Sequence, residues 1–266
     1  MASLKPDQRA LLIADVITPS LRQIALQDDR LVVVSVDSVM WDRQAVALSD
    51  AGGPTHARAA GRRPYGRFAV ARALLAAEGP LTQQQLVTGT GITQAAVSRA
   101  LSSSFFDGVL ERAWGGTRVA DRGALFERAV ADYPGPAGVT TYWWHGTSAM
   151  EQADVLAAAD ETALVSGDIA ADRMRAWRTP EHAVVYTRAQ PNLRDMGYSL
   201  ADSSDYTLML VHPDDHTIWP TARAWEVPGT ADPVIASFDV ARTGTRGDHI
   251  EAVDRIREYV IGARQR

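Results

Sequence analysis

The chain contains no cysteine, which excludes disulfides, thiolate metal sites and thiol nucleophiles together. Lysine is almost missing too. Lys5 is the single one, and every other basic residue is an arginine. No apolar run approaches the roughly 18 residues that a membrane span requires, and no signal-peptide pattern is present; a cytoplasmic protein without membrane contact is expected. Catalytic patterns are lacking as well. The histidines His145, His182, His212, His216 and His249 form no H-E-x-x-H or triad-like arrangement. Gly115-Gly116 lacks the Gly-Lys-Ser/Thr of a phosphate loop, and Gly244-Thr-Arg-Gly247 stands alone. Asp37 on a strand has no E-x-K partner for nuclease chemistry, and the Gly-Ser and Asp-x-Asp of a nucleotidyltransferase do not occur. Asp168 and Asp172 lie four apart on an expected helix, but paired carboxylates on a solvated helix are commonplace. His212-Pro-Asp-Asp-His216 reads as a polar turn rather than a metal loop. The expectation is no catalytic residue, no metal, no cofactor and no enzyme.

What is present begins with an ordinary globular composition, 46% hydrophobic and 22% charged. The net charge of −5 hides a division. Residues 1–135 carry 15 basic against 13 acidic side chains, and residues 136–266 carry 12 against 19. Within the first half, Ala51–Ala77 holds Arg58, Arg62, Arg63, Arg67 and Arg72 and no acid at all. A local cationic field of this kind suits a phosphate backbone, so Arg58, Arg62, Arg63 and Arg67 are expected phosphate contacts.

Beside that run lies the most informative segment, Leu81–Leu101, LTQQQLVTGTGITQAAVSRAL. It has the layout of a helix-turn-helix. A first helix opens at Thr82 and carries Leu86 and Val87, and Gly89 and Gly91 form a glycine-rich turn. Thr93 then N-caps a second helix, in which Val97, Ala100 and Leu101 share the inner face. Gln94, Ala95, Ser98 and Arg99 are left pointing outward, all able to approach base edges in a major groove. The flanks extend the pattern. Tyr65–Glu78 reads as an amphipathic helix with Phe68, Val70, Ala71, Leu74 and Leu75 inward, ended by Gly79-Pro80. Val109–Trp114, a turn at Gly115-Gly116 and Thr117–Val119 read as a hairpin with Arg118 near its tip, and a helix over 121–132 follows. Together these predict a winged helix bound to double-stranded DNA.

The predicted class is α+β in three parts: a small α/β unit over 1–57, the winged helix-turn-helix over 58–135, and a mixed α/β domain over 136–266. In the first part, a helical pattern runs over Pro6–Gln27 with Leu11, Leu12 and Ile13 among its apolar residues. Leu31–Val39 is a β-branched strand with a hairpin partner at Ala45–Leu48. In the third part, strands are expected at Thr140–Trp144, Ala163–Val165, Ala183–Thr187, Thr207–Val211 and Val234–Val240. Helices are expected from Ser148, with Glu151 completing a capping box, from Gly167, and from Asp248 with Ile250, Val253, Ile256 and Val260 on one face.

The stretches Ser166–Thr187 (SGDIAADRMRAWRTPEHAVVYT) and Asp232–Val260 (DPVIASFDVARTGTRGDHIEAVDRIREYV), joined to a winged helix, resemble the AbiEi family of antitoxin-type transcriptional regulators. The matching positions are Ser166, Gly167, Ala170, Ala171, Pro180, Asp232, Pro233, Asp239, Val240, Gly244, Glu251 and Ala252. Many members begin with the winged helix, whereas residues 1–57 precede it here. The resemblance implies a repressor of its own operon, bound at inverted repeats, whose C-terminal domain counteracts a nucleotidyltransferase-like toxin. Arg242 and Arg246 are candidates for that partner contact. The alternative is a ligand-sensing regulator without a toxin, its pocket lined by Tyr142, Trp143, Trp144 and Trp177.

Overall fold

Local signals set most element boundaries in the computed structural model, which describes residues 9–14, 17, 25–27, 29–35, 38–41, 44–47, 64–176, 179–188, 191–244 and 249–262. Two compact units are present, Met1–Gly61 and Arg62–Arg266. The smaller one holds a sheet of β1 (Ala10–Ile13), β2 (Leu31–Val34), β3 (Ser38–Trp41) and β4 (Gln44–Ala47) in that order, β1 parallel to β2 and the others antiparallel. Leu11, Leu12 and Ile13 therefore lie in a strand and not in a helix. A contiguous apolar run has no polar face to specify a helix, and the β-branched Leu31–Val34 supplies the ladder it pairs with. Leu31–Val39 is likewise divided between two antiparallel strands, Val34 pairing with Val39. Asp37 is outside the described residues.

The larger unit is mixed α+β. Its first helix, α1 (Tyr65–Ala76), is buried from Phe68 to Ala76 on every side, because α2 (Gln83–Thr90), α3 (Gln94–Leu101) and α4 (Arg122–Asp132) all pack on it. It is a central helix rather than the one-faced helix that its sequence predicts. Thr82 caps α2 reciprocally with Gln85: the Thr82 hydroxyl accepts from the Gln85 amide at 3.2 Å, and Gln85 Oε1 accepts from the Thr82 amide at 2.8 Å. Gly91 ends α2 in the left-handed region at φ 70°, where a side chain would be strained. Thr93 accepts from the Ala96 amide and starts α3. Leu86, Val97 and Ala100 turn inward against Phe68 and Leu74. A 3-10 turn, Ser104–Phe106, then leads into the hairpin of β5 (Leu110–Ala113) and β6 (Gly116–Val119).

Beyond Pro134 the chain builds a five-stranded sheet from β7 (Val139–Trp144), β8 (Leu164–Ser166), β9 (Ala183–Tyr186), β10 (Ser199–Leu200) and β11 (Leu208–His212). The strand order is β10-β7-β11-β9-β8, with only the β11–β9 pair parallel. Alternation along the strands feeds two cores. Ala183, Val185, Leu208 and Leu210 meet α5 (Ala149–Ala159), which the Ser148–Glu151 capping box starts. Val184, Tyr186, Met209 and Val211 join the core that contains α8 (Pro233–Thr243) and α9 (His249–Gly262), while α6 (Gly167–Met174) packs against both of those helices.

Val234–Val240 is thus helix, not strand. Asp232 accepts from the amides of Val234 and Ile235 at 3.1 and 3.2 Å, and Pro233 occupies the first helical position. This N-terminal chemistry outweighs the β-branched composition. In α9 the buried stripe is Ala252, Ile256 and Val260, and Ile250 is exposed. Asp248 is outside the described residues. The sequence punctuation at Pro134-Gly135-Pro136 is no division in space, since one hydrophobic cluster runs from Phe68 of α1 to Val260 of α9. Among the described residues, no helix is long and apolar enough to cross a membrane.

Candidate functional site

The N-capped helix α3 is amphipathic in the sense its sequence predicts. Val97 is fully buried, while Thr93, Gln94, Ala95, Ser98 and Arg99 are exposed. Nothing among the described residues hydrogen-bonds or ion-pairs the Arg99 side chain. The outer face of α3 therefore offers an amide, a hydroxyl and a guanidinium around the small Ala95, with room for another surface to approach.

The hairpin departs from its expected register. Ala113 pairs with Gly116, so the two-residue loop is Trp114-Gly115 and Gly116 is a strand residue. Thr117 exchanges both backbone hydrogen bonds with Leu81, at 2.8 and 2.9 Å, adding the segment before α2 to the hairpin as a third, minimal strand. Gly116 permits this approach, because a Cβ there would lie 2.2 Å from the Leu81 carbonyl oxygen. The consequence for Arg118 is a correction. It lies within β6, directly opposite Glu111, and its Nε donates to that carboxylate. Trp114 is at the tip instead, 100% exposed, with Arg112 exposed two positions before it. Moving the two-residue loop by one residue shifts every cross-strand partner by two, so Arg118 faces Glu111 instead of Ala113 and Trp114 passes from the strand into the tip.

The arginine run is not uniform. Arg58, Arg62 and Arg63 are outside the described residues. Arg67 lies over the rings of Phe68 and Phe105, 4.9 and 5.3 Å from their centroids. Arg72 contributes nothing to a surface field. It is fully buried, donating to Asp215 at 3.1 Å, Asp232 at 3.4 Å, Thr217 at 2.5 Å and the Phe68 carbonyl at 3.2 Å. Tyr133 donates to the same Asp215 at 2.8 Å, and burial beside that carboxylate raises its phenol far above the ordinary range. Burial pushes Asp232 above the usual carboxylate range, against the downward pull of Arg72 and Thr221.

A second internal network involves the residues of the family resemblance. Asp239 accepts from Ser166 at 2.6 Å, from Tyr186 at 2.9 Å and from Arg242 at 2.8 Å. Gly167 takes φ 61° beside Val184, where a Cβ would be tight. Arg242, expected at a partner surface, is mostly turned inward onto Asp239 and the Phe238 ring. Arg246 is outside the described residues. Among the described residues, no group of three or more His, Asp or Glu side chains is placed to hold a metal ion.

The aromatic group expected to line a pocket does not come together as one. Tyr142 packs on Tyr206, Trp143 donates to Thr141, Trp144 is half exposed, and Trp177 is outside the described residues. A cavity of about 580 Å³ is found elsewhere, beside α7 (Ile218–Ala222), lined by Trp219 and Trp225 with Arg188 and Arg223. No family model matches the chain, and no curated protein or solved structure is similar to it.

Proposed function

We propose that residues Arg62–Arg266 act as a DNA-binding transcriptional regulator whose reading head is a winged helix. The observation that carries this reading is the exposed, unengaged face of Gln94, Ala95, Ser98 and Arg99 on a helix held rigidly by its Thr93 cap and by Val97 and Ala100. The chain order supports it: a helix, a one-residue strand at Leu81, two helices and a hairpin that pairs with that strand. Arg99 reads a base edge, Arg62, Arg63 and Arg67 meet phosphates, and Trp114 enters the minor groove from the hairpin tip. A cytoplasmic protein bound at inverted repeats follows from this reading.

The antitoxin activity implied by the AbiEi resemblance belongs to the same proposal. Ser166 and Gly167 lie against Asp239 inside the fold, and Asp232 is buried with Arg72 and Thr221, so these positions support an architectural role rather than a toxin contact.

The test is a gel-shift titration of the full chain on DNA from upstream of its own gene against a scrambled duplex. Specific binding exceeding nonspecific binding is expected. Arg99→Ala lowers the specific affinity by about 1–3 kcal/mol and leaves the nonspecific affinity nearly unchanged. Equal affinity for both duplexes in the unsubstituted protein would refute the reading.

A further inference from the structure

We infer that the cavity beside α7 is a binding site for a small planar anion, an aromatic carboxylate, and that its occupant acts on the α2–α3 turn through α7. The volume of about 580 Å³ suits a small molecule. Its wall is fixed. Trp219 is 5% exposed and its indole N–H donates to the Thr162 carbonyl at 2.7 Å. Leu164, Trp225 and Pro228 add apolar surface for a ring.

The charge comes from two arginines on the same lining. The Arg188 guanidinium lies over the Trp219 ring, 4.4 Å from its centroid, which holds the cation at the cavity while its N–H groups have no partner among the described residues. Arg223 joins it, and neither has a carboxylate partner among the described residues. Arg173, Arg175, Arg242, Arg255 and Arg257 of this acidic half are each paired with Asp or Glu, while Arg194, like Arg188 and Arg223, has no carboxylate partner among the described residues. Glu161 is the acidic residue of the lining, so the two arginines outweigh it. An anion with a flat apolar body satisfies both features, whereas a neutral ring leaves the guanidinium edges unmatched.

The route to the turn is short. Pro220, next to Trp219, faces Gly91, where a Cβ would lie 3.5 Å from the Pro220 ring. Thr217 and Thr221 of the same segment hold Asp215 and Asp232, the partners of Arg72 in α1. A ligand seated on Trp219 thus bears on the segment whose Pro220 abuts the junction between α2 and α3. That this regulates DNA binding rests on the proposed function; the binding site does not.

Calorimetric titration of the full chain without DNA tests the site, with salicylate as probe and salicylamide as its neutral counterpart. Salicylate binds at least about tenfold more tightly, and Arg188→Ala and Arg223→Ala each remove about that factor. Both side chains are exposed, and an unchanged thermal melt checks that each variant folds. No salicylate binding to millimolar concentration, equal affinities for the two probes, or full affinity in both variants overturns the site. Hydrogen exchange at Thr90–Thr93 tests the coupling. Altered protection with salicylate supports it, and unchanged protection with salicylate bound overturns the coupling while the site stands. Neither measurement involves DNA, so a failed gel shift and a failed ligand site remain separate results.

Discussion

Replacing Arg72 with methionine removes the cation at the centre of the larger unit while nearly keeping its volume. Arg72 and both its carboxylate partners, Asp215 and Asp232, have no exposed side-chain surface. Removing one member of such a buried cluster leaves uncompensated charge, and costs about 3–5 kcal/mol. That is a large part of the roughly 5–15 kcal/mol by which domains are stable. Urea unfolding of the full chain followed by circular dichroism reads the loss.

The pH dependence follows from Asp232, whose carboxyl burial already holds above its ordinary 3.8 and which Arg72 pulls down. Without Arg72 it rises further. A carboxyl raised in the folded state stabilises fully below its unfolded value and loses that contribution as pH rises through its folded value. The deficit of the variant is therefore largest at neutral pH and shrinks on mild acidification. Adding Asp232→Asn to the methionine variant recovers part of the loss at neutral pH. A deficit under about 1 kcal/mol, or one independent of pH, would show that Arg72 does not neutralise these carboxylates.

Two further changes separate the hairpin's structural role from its proposed binding role. Gly116→Ala puts a Cβ against the Leu81 carbonyl and costs about 1–3 kcal/mol locally; amide exchange at Leu81 and Thr117 should accelerate, and unchanged protection would refute the tight approach. Trp114→Ala removes a side chain with no buried surface, so stability is unchanged. DNA affinity falls by about 1–3 kcal/mol if Trp114 stacks on or wedges between bases, as fluorescence anisotropy would measure, and full affinity would remove it from the interface.

The sequence by itself determined the elements whose signals are local. The start of α2 at Thr82, the Thr93 cap of α3 and the Ser148–Glu151 capping box of α5 each depend on residues within a few positions and lie as read, whereas Gly89, read into the turn, is inside α2 and Gly91 ends that helix. The outward set of Gln94, Ala95, Ser98 and Arg99 follows from the same short-range periodicity. Where two local signals competed, composition misled: at Val234–Val240 the Asp-Pro cap prevailed over β-branching. Tertiary structure alone decided the rest. It placed Trp114 at the hairpin tip through a register that Leu81 and Gly116 set together. It brought Arg188 to Trp219 and Arg223, which lie four residues apart at α7, around one cavity. Above all it turned Arg72 from a member of a basic run into the interior counter-charge of carboxylates 143 and 160 residues away. A cap is satisfied by backbone one turn distant, so its residues announce it. Burying a charge requires a partner wherever the fold brings one, and nothing beside Arg72 in the chain records which partner that is.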